Sequence, residues 1–280
     1  MTGESRRRAG RQTVTGHEPA ERSTAAELGH GYRGCGRRTG RGSAERSEDD
    51  GVVRSKEGVR QLSTHVLRCN GAPVPIALAS LPTTQTAAIP DTAQLDELLP
   101  VLAADSLPRL IVLGEDAGLA AVLTHLLRTD RLGVEIGYVP VDRTYGSRAY
   151  QIGTGSAAAK RALEGKSAPT PLIRDDTGMV LVGRATVTGR DGGKLEGEAY
   201  VDETRLFTGR VTALHVSPTL EMPGVRAAVH RGLRKRRWVA GRAVQLGTPG
   251  AVVTRDGIAS DRTVPRSSFY RHNEPWLLVR

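Results

Sequence analysis

Between positions 62 and 170, apolar residues alternate between short continuous runs and stretches with helical spacing. Arg109–Leu113 and Val134–Pro140 are runs of strand length, and between them Ala117–Arg128 repeats Leu and Val every three or four residues. The Ala-rich segment Ser156–Glu164 predicts another helix, with Gly165 as its C′ residue. This alternation of strands and helices is typical of an α/β layer built on a parallel sheet.

The start of this region predicts two strands and a helix. His65–Arg68 and Val74–Leu78 are expected to be strands on either side of the turn dipeptide Asn70-Gly71. Leucines at helical spacing predict a helix over Asp91–Asp105, which either Asp91 or Thr92 could cap.

After Pro171 the pattern changes to short segments rich in β-branched residues. The predicted strands are Leu172–Arg174, Met179–Thr188, Leu195–Asp202, Arg205–Phe207, Val211–Ser217, Arg237–Leu246, Ala251–Arg255 and Trp276–Val279. Asp176-Thr177-Gly178 and Arg190–Gly193 are typical of hairpin turns. The predicted fold class is therefore an α/β domain over residues 62–170, followed by a β-rich, sandwich-like domain over residues 171–280.

Residues 1–60 carry thirteen basic and nine acidic residues and show no hydrophobic period. Such a segment buries too little apolar surface to offset its ordering entropy, which predicts a disordered basic tail. Two interpretations stay open. The tail binds nucleic acid, or it is an inert extension of an over-long gene model.

The whole chain has a formal net charge of +10 and a sequence pI of about 10.2. This charge favours anionic partners such as a phosphorylated ligand, nucleic acid or an acidic lipid surface, although arginine usage in a GC-rich genome also explains it. Cys35 and Cys69 form no CxxC pair, so we expect no disulfide or zinc site and a reducing, cytoplasmic location. No apolar run is long enough for a transmembrane helix or a signal peptide.

Two small-residue turns before predicted helices are candidate phosphate sites, because helix N-termini attract anions. The first contains Gly114 and Gly118, with Asp116 as the candidate catalytic residue and Glu115 where an anion-binding turn usually has glycine. An alternative role for Asp116 is to cap the helix that follows. The second turn is Gly153-Thr154-Gly155-Ser156, where the alternative is a bare loop with Ser156 as the N-cap.

The strongest charge feature is a basic cluster next to an aromatic residue. Its cations are Arg231, Arg234, Lys235, Arg236 and Arg237, and Trp238 follows them. The cluster could bind phosphates of nucleic acid or an acidic membrane; the alternative is a solvated loop between strands.

The order of these features resembles the superfamily of diacylglycerol kinases and NAD kinases. Its Gly-Gly-Asp-Gly-Thr turn is matched at Gly114 and Asp116 but not at Glu115, Ala117 or Gly118. Arg255-Asp256-Gly257 resembles the family's Asp-Gly-Glu, with Ile258 in place of the acid. The resemblance therefore implies a two-lobed fold with degenerate glycine motifs. The ending Gly241–Gly247 to Phe269–His272 also resembles uncharacterised actinobacterial proteins.

The resemblance implies a diverged lipid- or nucleotide-kinase-like protein, either weakly active or a pseudoenzyme that binds a phosphorylated ligand. If it is active, it would be an ATP-dependent phosphotransferase for a lipid or NAD, with ATP and Mg²⁺ as cofactors and Asp116 as the catalytic residue. The alternative is a non-enzymatic binding module that uses its basic surface for nucleic acid or anionic lipid. No metal site beyond the nucleotide's Mg²⁺ is expected.

Overall fold

A computed structural model describes residues 63–98, 100, 102, 108–232 and 237–280. The predicted basic tail over residues 1–60 lies outside these residues. So do Arg234, Lys235 and Arg236 of the basic cluster, and part of the predicted helix Asp91–Asp105. No helix in the described part of the chain is long and apolar enough to cross a membrane.

The first half of the fold is a six-stranded sheet with helices between its strands. In spatial order the strands are β2 (Thr83–Thr86), β1 (Thr64–Cys69), β3 (Arg109–Leu113), β4 (Glu135–Val139), β17 (Trp276–Val279) and β5 (Ser167–Thr170). The helices are α1 (Thr92–Asp96), α2 (Asp116–Arg128), α3 (Tyr145–Ala149) and α4 (Gly155–Glu164). All neighbouring strands are parallel except β17 and β5, which are antiparallel.

The predicted parallel layer is confirmed, but its first connection is not a hairpin. Asn70 and Gly71 form a turn with positive φ at both residues, yet β1 pairs in parallel with β2. The predicted strand Val74–Leu78 is wrong, because Ile76–Leu78 is a 3-10 turn. Helix α1 begins after Asp91, whose side chain caps it in a capping box with Gln94.

The backbone conformation at the C-terminal end of α4 also differs from the prediction. Gly165 follows α4 in extended backbone rather than in the left-handed conformation typical of a C′ glycine. A Cβ at Gly165 would press on the carbonyl oxygen of Arg161, so close packing explains the glycine.

The second half is an eleven-stranded, mainly antiparallel β-structure. Its strands are β6 (Ile173–Asp175), β7 (Val180–Leu181), β8 (Ala185–Gly189), β9 (Leu195–Val201), β10 (Thr204–Val211), β11 (Ala213–Pro218), β12 (Val225–His230), β13 (Trp238–Gly241), β14 (Ala243–Arg255), β15 (Ile258–Ala259) and β16 (Val264–Arg271). The main path runs β13-β12-β11-β8-β14-β16-β6-β7, and β9, β10 and β15 lie off it. Aliphatic residues and two phenylalanines form its core. The predicted class, an α/β half followed by a β-rich half, is thus confirmed.

Two predicted strands are split, and in each case an aspartate supplies the reason. Met179–Thr188 divides into β7 and β8 because Val182, Gly183 and Arg184 donate their backbone N–H groups to Asp256 rather than to a neighbouring strand. Arg237–Leu246 divides at Arg242, whose N–H binds the Asp202 carboxylate. At both breaks, an aspartate carboxylate accepts backbone N–H groups that would otherwise bind a neighbouring strand.

The connections between the later strands agree with the prediction at one turn and differ from it elsewhere. The turn Asp176–Gly178 joins the antiparallel pair β6 and β7, as predicted. Arg190–Gly193 does not form a hairpin, because β8 and β9 both pair with β14 rather than with each other. Trp276–Val279 does not belong to the β-rich half. As β17 it returns to the first sheet, between β4 and β5, and its apolar residues are largely buried there.

A buried ion pair ties the first sheet to α4. Arg109 Nε and Nη2 donate to Glu135 Oε2 at 2.9 and 2.7 Å, across the neighbouring strands β3 and β4. Its Nη1 also donates to the carbonyl oxygen of Leu163 at 2.6 Å, near the α4 C-terminus, where a cation is favoured. Ser167 Oγ donates to the other Glu135 oxygen at 2.6 Å. Both oxygens of Glu135 and all three nitrogens of the Arg109 guanidinium group therefore have hydrogen-bond partners.

We expect Arg109→Met to lower the free energy of unfolding by about 3–5 kcal/mol, because it leaves the Glu135 carboxylate buried and uncompensated. The double variant Arg109→Met/Glu135→Leu should lose less than the single variant. Urea denaturation measures both. Lys160→Met is the control, since its pairing with Glu164 is exposed to solvent and should contribute about 0.5 kcal/mol or less. If Arg109→Met were no less stable to urea than Lys160→Met, the prediction would be contradicted.

Candidate functional site

Asp116 is the first residue of α2, directly after parallel strand β3, as the sequence predicts. Its carboxylate is buried. The Tyr138 hydroxyl donates to Oδ1 at 2.8 Å, and the Gly146 N–H donates to Oδ2 at 2.8 Å. The alternative role as a helix cap is wrong: Glu115 occupies the N-cap position and makes no capping bond. The Asp116 side chain instead crosses to β4 and α3, which its carboxylate joins to α2.

Two glycines leave the space that this carboxylate occupies. A Cβ at Gly146 would overlap Asp116 Oδ1, and a Cβ at Gly183 would overlap Asp116 Oδ2. Gly146 lies in α3, whereas Gly183 lies between β7 and β8 of the β-rich half. The Asp116 carboxylate thus packs against backbone from both halves of the fold, and a side chain at either glycine would displace it.

A second carboxylate, that of Asp256, also lies close to Gly183, because a Cβ there would be 3.0 Å from Asp256 Oδ1. It accepts the backbone N–H groups of Val182, Gly183 and Arg184 at 3.0, 2.7 and 2.9 Å. Burial raises the pKa of Asp256 to about 7; the three N–H groups oppose this shift, and the charge of Asp116 adds to it. The sequence contained a signal for this residue in Arg255-Asp256-Gly257, but our predicted site did not include it.

Negative charge accumulates at the turn that precedes α2. Burial, together with the nearby charges of Asp116 and Asp142, raises the pKa of Glu115. Among the described residues neither Arg143 nor Arg148 forms an ion pair with Glu115. Arg148 instead lies over the Tyr145 ring, at 5.7 Å from its centroid. The turn is therefore unfavourable for an added anion.

The glycines of this turn pack against the neighbouring strand. A Cβ at Gly114 would lie 2.8 Å from the Cβ of Cys69, and one at Gly118 would lie 3.2 Å from its sulfur. Gly118 also closely approaches the Ala88 carbonyl oxygen. This packing explains both glycines without a ligand, and their role in binding phosphate stays a prediction.

The second predicted phosphate turn lies at the same edge of the sheet. The Gly155 N–H donates to the Pro140 carbonyl at 3.1 Å, just beyond β4, while the Gly114 N–H donates to the Val139 carbonyl at 3.2 Å. Thr154 is the N-cap of α4, with no side-chain capping bond, so the proposed cap at Ser156 is wrong. Ser156 is exposed and Gly153 is half-buried. Phosphate binding by these four residues also stays a prediction.

The described members of the basic cluster are close together. Arg231 and Arg237 flank the ends of β12 and β13, and both line a cavity of about 320 Å³ that Arg205 of β10 also lines. Arg205 was not among the predicted anion-binding residues, because it is distant from the cluster along the chain.

The side chains at the Asp116 turn do not fit a magnesium nucleotide. Both Asp116 oxygens already accept hydrogen bonds from the chain, and Glu115 adds a further carboxylate at the turn. In the part of the chain that the structure describes, no three His, Cys, Asp or Glu side chains converge as metal ligands.

Comparison with known proteins identifies the fold. No family model and no curated protein sequence matches the chain. A diacylglycerol kinase structure from Bacillus anthracis str. Sterne matches with a TM-score of 0.59 and 10% identity, covering 78% of this chain and 97% of that one. An ATP complex of an NAD kinase from Archaeoglobus fulgidus matches with a TM-score of 0.51 and 13% identity, covering 78% and 93%.

The chain therefore has the two-lobed fold of diacylglycerol kinases and NAD kinases. The resemblance inferred from degenerate motifs is confirmed at the level of the fold. The actinobacterial branch stays a prediction.

We expect Gly183→Ala to lower the free energy of unfolding by about 1–3 kcal/mol or more, because the new methyl group displaces the Asp116 carboxylate from its donors. Chemical denaturation provides the measurement. Gly133→Ala is the matched control, because a Cβ there meets nothing within 4 Å. Equal stabilities for the two variants would show that the Asp116 carboxylate is not confined as described.

Proposed function

We propose that this chain is a diverged lipid- or nucleotide-kinase-like protein in which phosphoryl transfer is weak or absent, and which binds a phosphorylated ligand. The fold supplies the kinase-like part of the proposal. The chemistry of the turn before α2 supports the loss of activity.

The observation that carries the proposal is the hydrogen bonding of Asp116. A carboxylate that acts on a hydroxyl acceptor must come within hydrogen-bond distance of it. Asp116 is 6% exposed, and Tyr138 and Gly146 each donate a hydrogen bond to one of its oxygens. Exposing this carboxylate would break both bonds and open the contact with Gly183. The residue is thus better suited to joining α2 to β4 and α3 than to meeting a substrate.

Glu115 supports the same conclusion through electrostatics. Two unit charges about 4 Å apart repel by about 1–4 kcal/mol at effective dielectric constants between 80 and 20. A triphosphate at this turn would meet Glu115, Asp116 and Asp142 together. An active phosphotransferase site usually presents the opposite, with glycine backbone and cations around the phosphates.

The second candidate is a binding module without enzymatic activity, whose basic surface takes nucleic acid or anionic lipid. The specific observation in its favour is the shared cavity of Arg205, Arg231 and Arg237. Both candidates agree with a cytoplasmic location, which we propose from the cysteine usage.

We expect the purified protein, given labelled ATP and Mg²⁺, to transfer little or no phosphate to diacylglycerol, a sphingoid base or NAD. The reason is that the predicted catalytic carboxylate, that of Asp116, is buried and hydrogen-bonded. Asp116→Asn should show the same background rate as the wild type. Glu164→Gln, which removes an exposed carboxylate on α4, is the matched control.

Robust turnover by the wild type that Asp116→Asn abolishes and Glu164→Gln preserves would contradict the proposal. Asp116 would then be catalytic, and the chain would be an active kinase.

A further inference from the structure

The cavity between β10, β12 and β13 combines an apolar floor with a basic rim. Leu206, Val229 and Val239 are half-buried and pack against the core of the β-rich half. Arg205, Arg231 and Arg237 line the same cavity and are exposed. A volume of about 320 Å³ is at the lower end of the range for small-molecule sites. The cavity shares no residue with the Asp116 turn.

The three arginines have no partner within the described residues. None of them forms an ion pair or a hydrogen bond there, and the cavity lining contains no carboxylate. Two other arginines of the β-rich half are paired: Arg210 binds Glu196 at 2.8 Å, and Arg255 binds Asp175. Three uncompensated guanidinium groups around one cavity repel one another, and an anion that binds between them relieves this repulsion.

The side chains that line the cavity limit the chemical class of ligand that it can bind. Guanidinium groups bind phosphate oxygens through paired, planar hydrogen bonds, and a phosphomonoester carries close to two negative charges at neutral pH. The three aliphatic side chains offer contact for an apolar group attached to that phosphate. A single concave site of this size suits one charged head and a short apolar body better than an extended polynucleotide, whose phosphates need a longer basic track.

We propose that this cavity binds a phosphomonoester that bears an apolar substituent. The inference rests on the proposed function only in assigning a phosphorylated ligand, and it places that ligand on the β-rich half, away from Asp116. Either a free metabolite or the headgroup of a membrane lipid could present this chemistry.

The test is isothermal titration calorimetry of the full chain at low salt, with hexyl phosphate as the probe and inorganic phosphate and hexanol as comparisons. Hexyl phosphate should bind more tightly than either. Arg205→Gln and Arg237→Gln should each weaken its binding about tenfold or more, as expected for a charge-assisted hydrogen bond. Arg266→Gln removes an exposed arginine from β16 and should leave binding unchanged.

Vesicle sedimentation identifies the source of the phosphate. Binding to phosphatidylcholine vesicles that contain phosphatidic acid, lost in Arg205→Gln and Arg237→Gln, would assign the cavity to a lipid headgroup. Binding of hexyl phosphate without vesicle binding would assign it to a soluble ligand. Both results support the proposal.

Three results would overturn it. These are no binding of hexyl phosphate, equal weakening by Arg266→Gln, and displacement of hexyl phosphate by a more tightly bound single-stranded oligonucleotide. Because phosphoryl transfer is assayed separately, failure of this inference would leave the conclusion about Asp116 unaffected.

Discussion

The carboxylate of Asp116 occupies a space that exists only because residues 146 and 183 lack side chains. Around it meet the β3–α2 turn, strand β4, helix α3 and the segment between β7 and β8. Asp256 holds the same segment through three backbone N–H groups. The buried Asp116 carboxylate and the half-buried Asp256 carboxylate thus both lie against Gly183, where the two halves are in contact, and hydrogen-bonded polar groups of this kind tolerate little displacement.

In the function that we propose, the position at which a kinase's chemistry is expected serves a structural purpose. The strand–turn–helix unit and the parallel sheet edge remain, and open α/β sheets commonly bind ligands at that edge. At the turn itself, however, Glu115 adds negative charge, and the glycines at 114 and 118 are explained by contact with Cys69. Fold and activity are separable properties, because activity depends on a few groups placed on the fold. In this chain the Asp116 carboxylate accepts hydrogen bonds from Tyr138 and Gly146.

The sequence predicted the elements whose signal is local. Arg109–Leu113 and helix α2 follow from uninterrupted apolar periodicity, and both are found within one residue of their expected bounds. Prediction from the sequence failed where contacts with residues distant along the chain determine the secondary structure. Asp256 breaks the predicted strand Met179–Thr188, and β17 leaves the β-rich half to complete a sheet begun more than a hundred residues earlier. At the site, Asp116 could be predicted from its turn, whereas its donors Tyr138 and Gly146 could not.

The central claim is that Asp116 stabilises the fold through its bond with Tyr138, and a double-mutant cycle tests it most directly. Unfolding free energies of the wild type, Asp116→Asn, Tyr138→Phe and the double variant give the coupling between the two side chains. The account predicts clearly destabilised single variants and a favourable coupling of about 1–3 kcal/mol, the range for a buried hydrogen bond to a charged group. A coupling below about 0.5 kcal/mol, with Asp116→Asn as stable as the wild type, would contradict it.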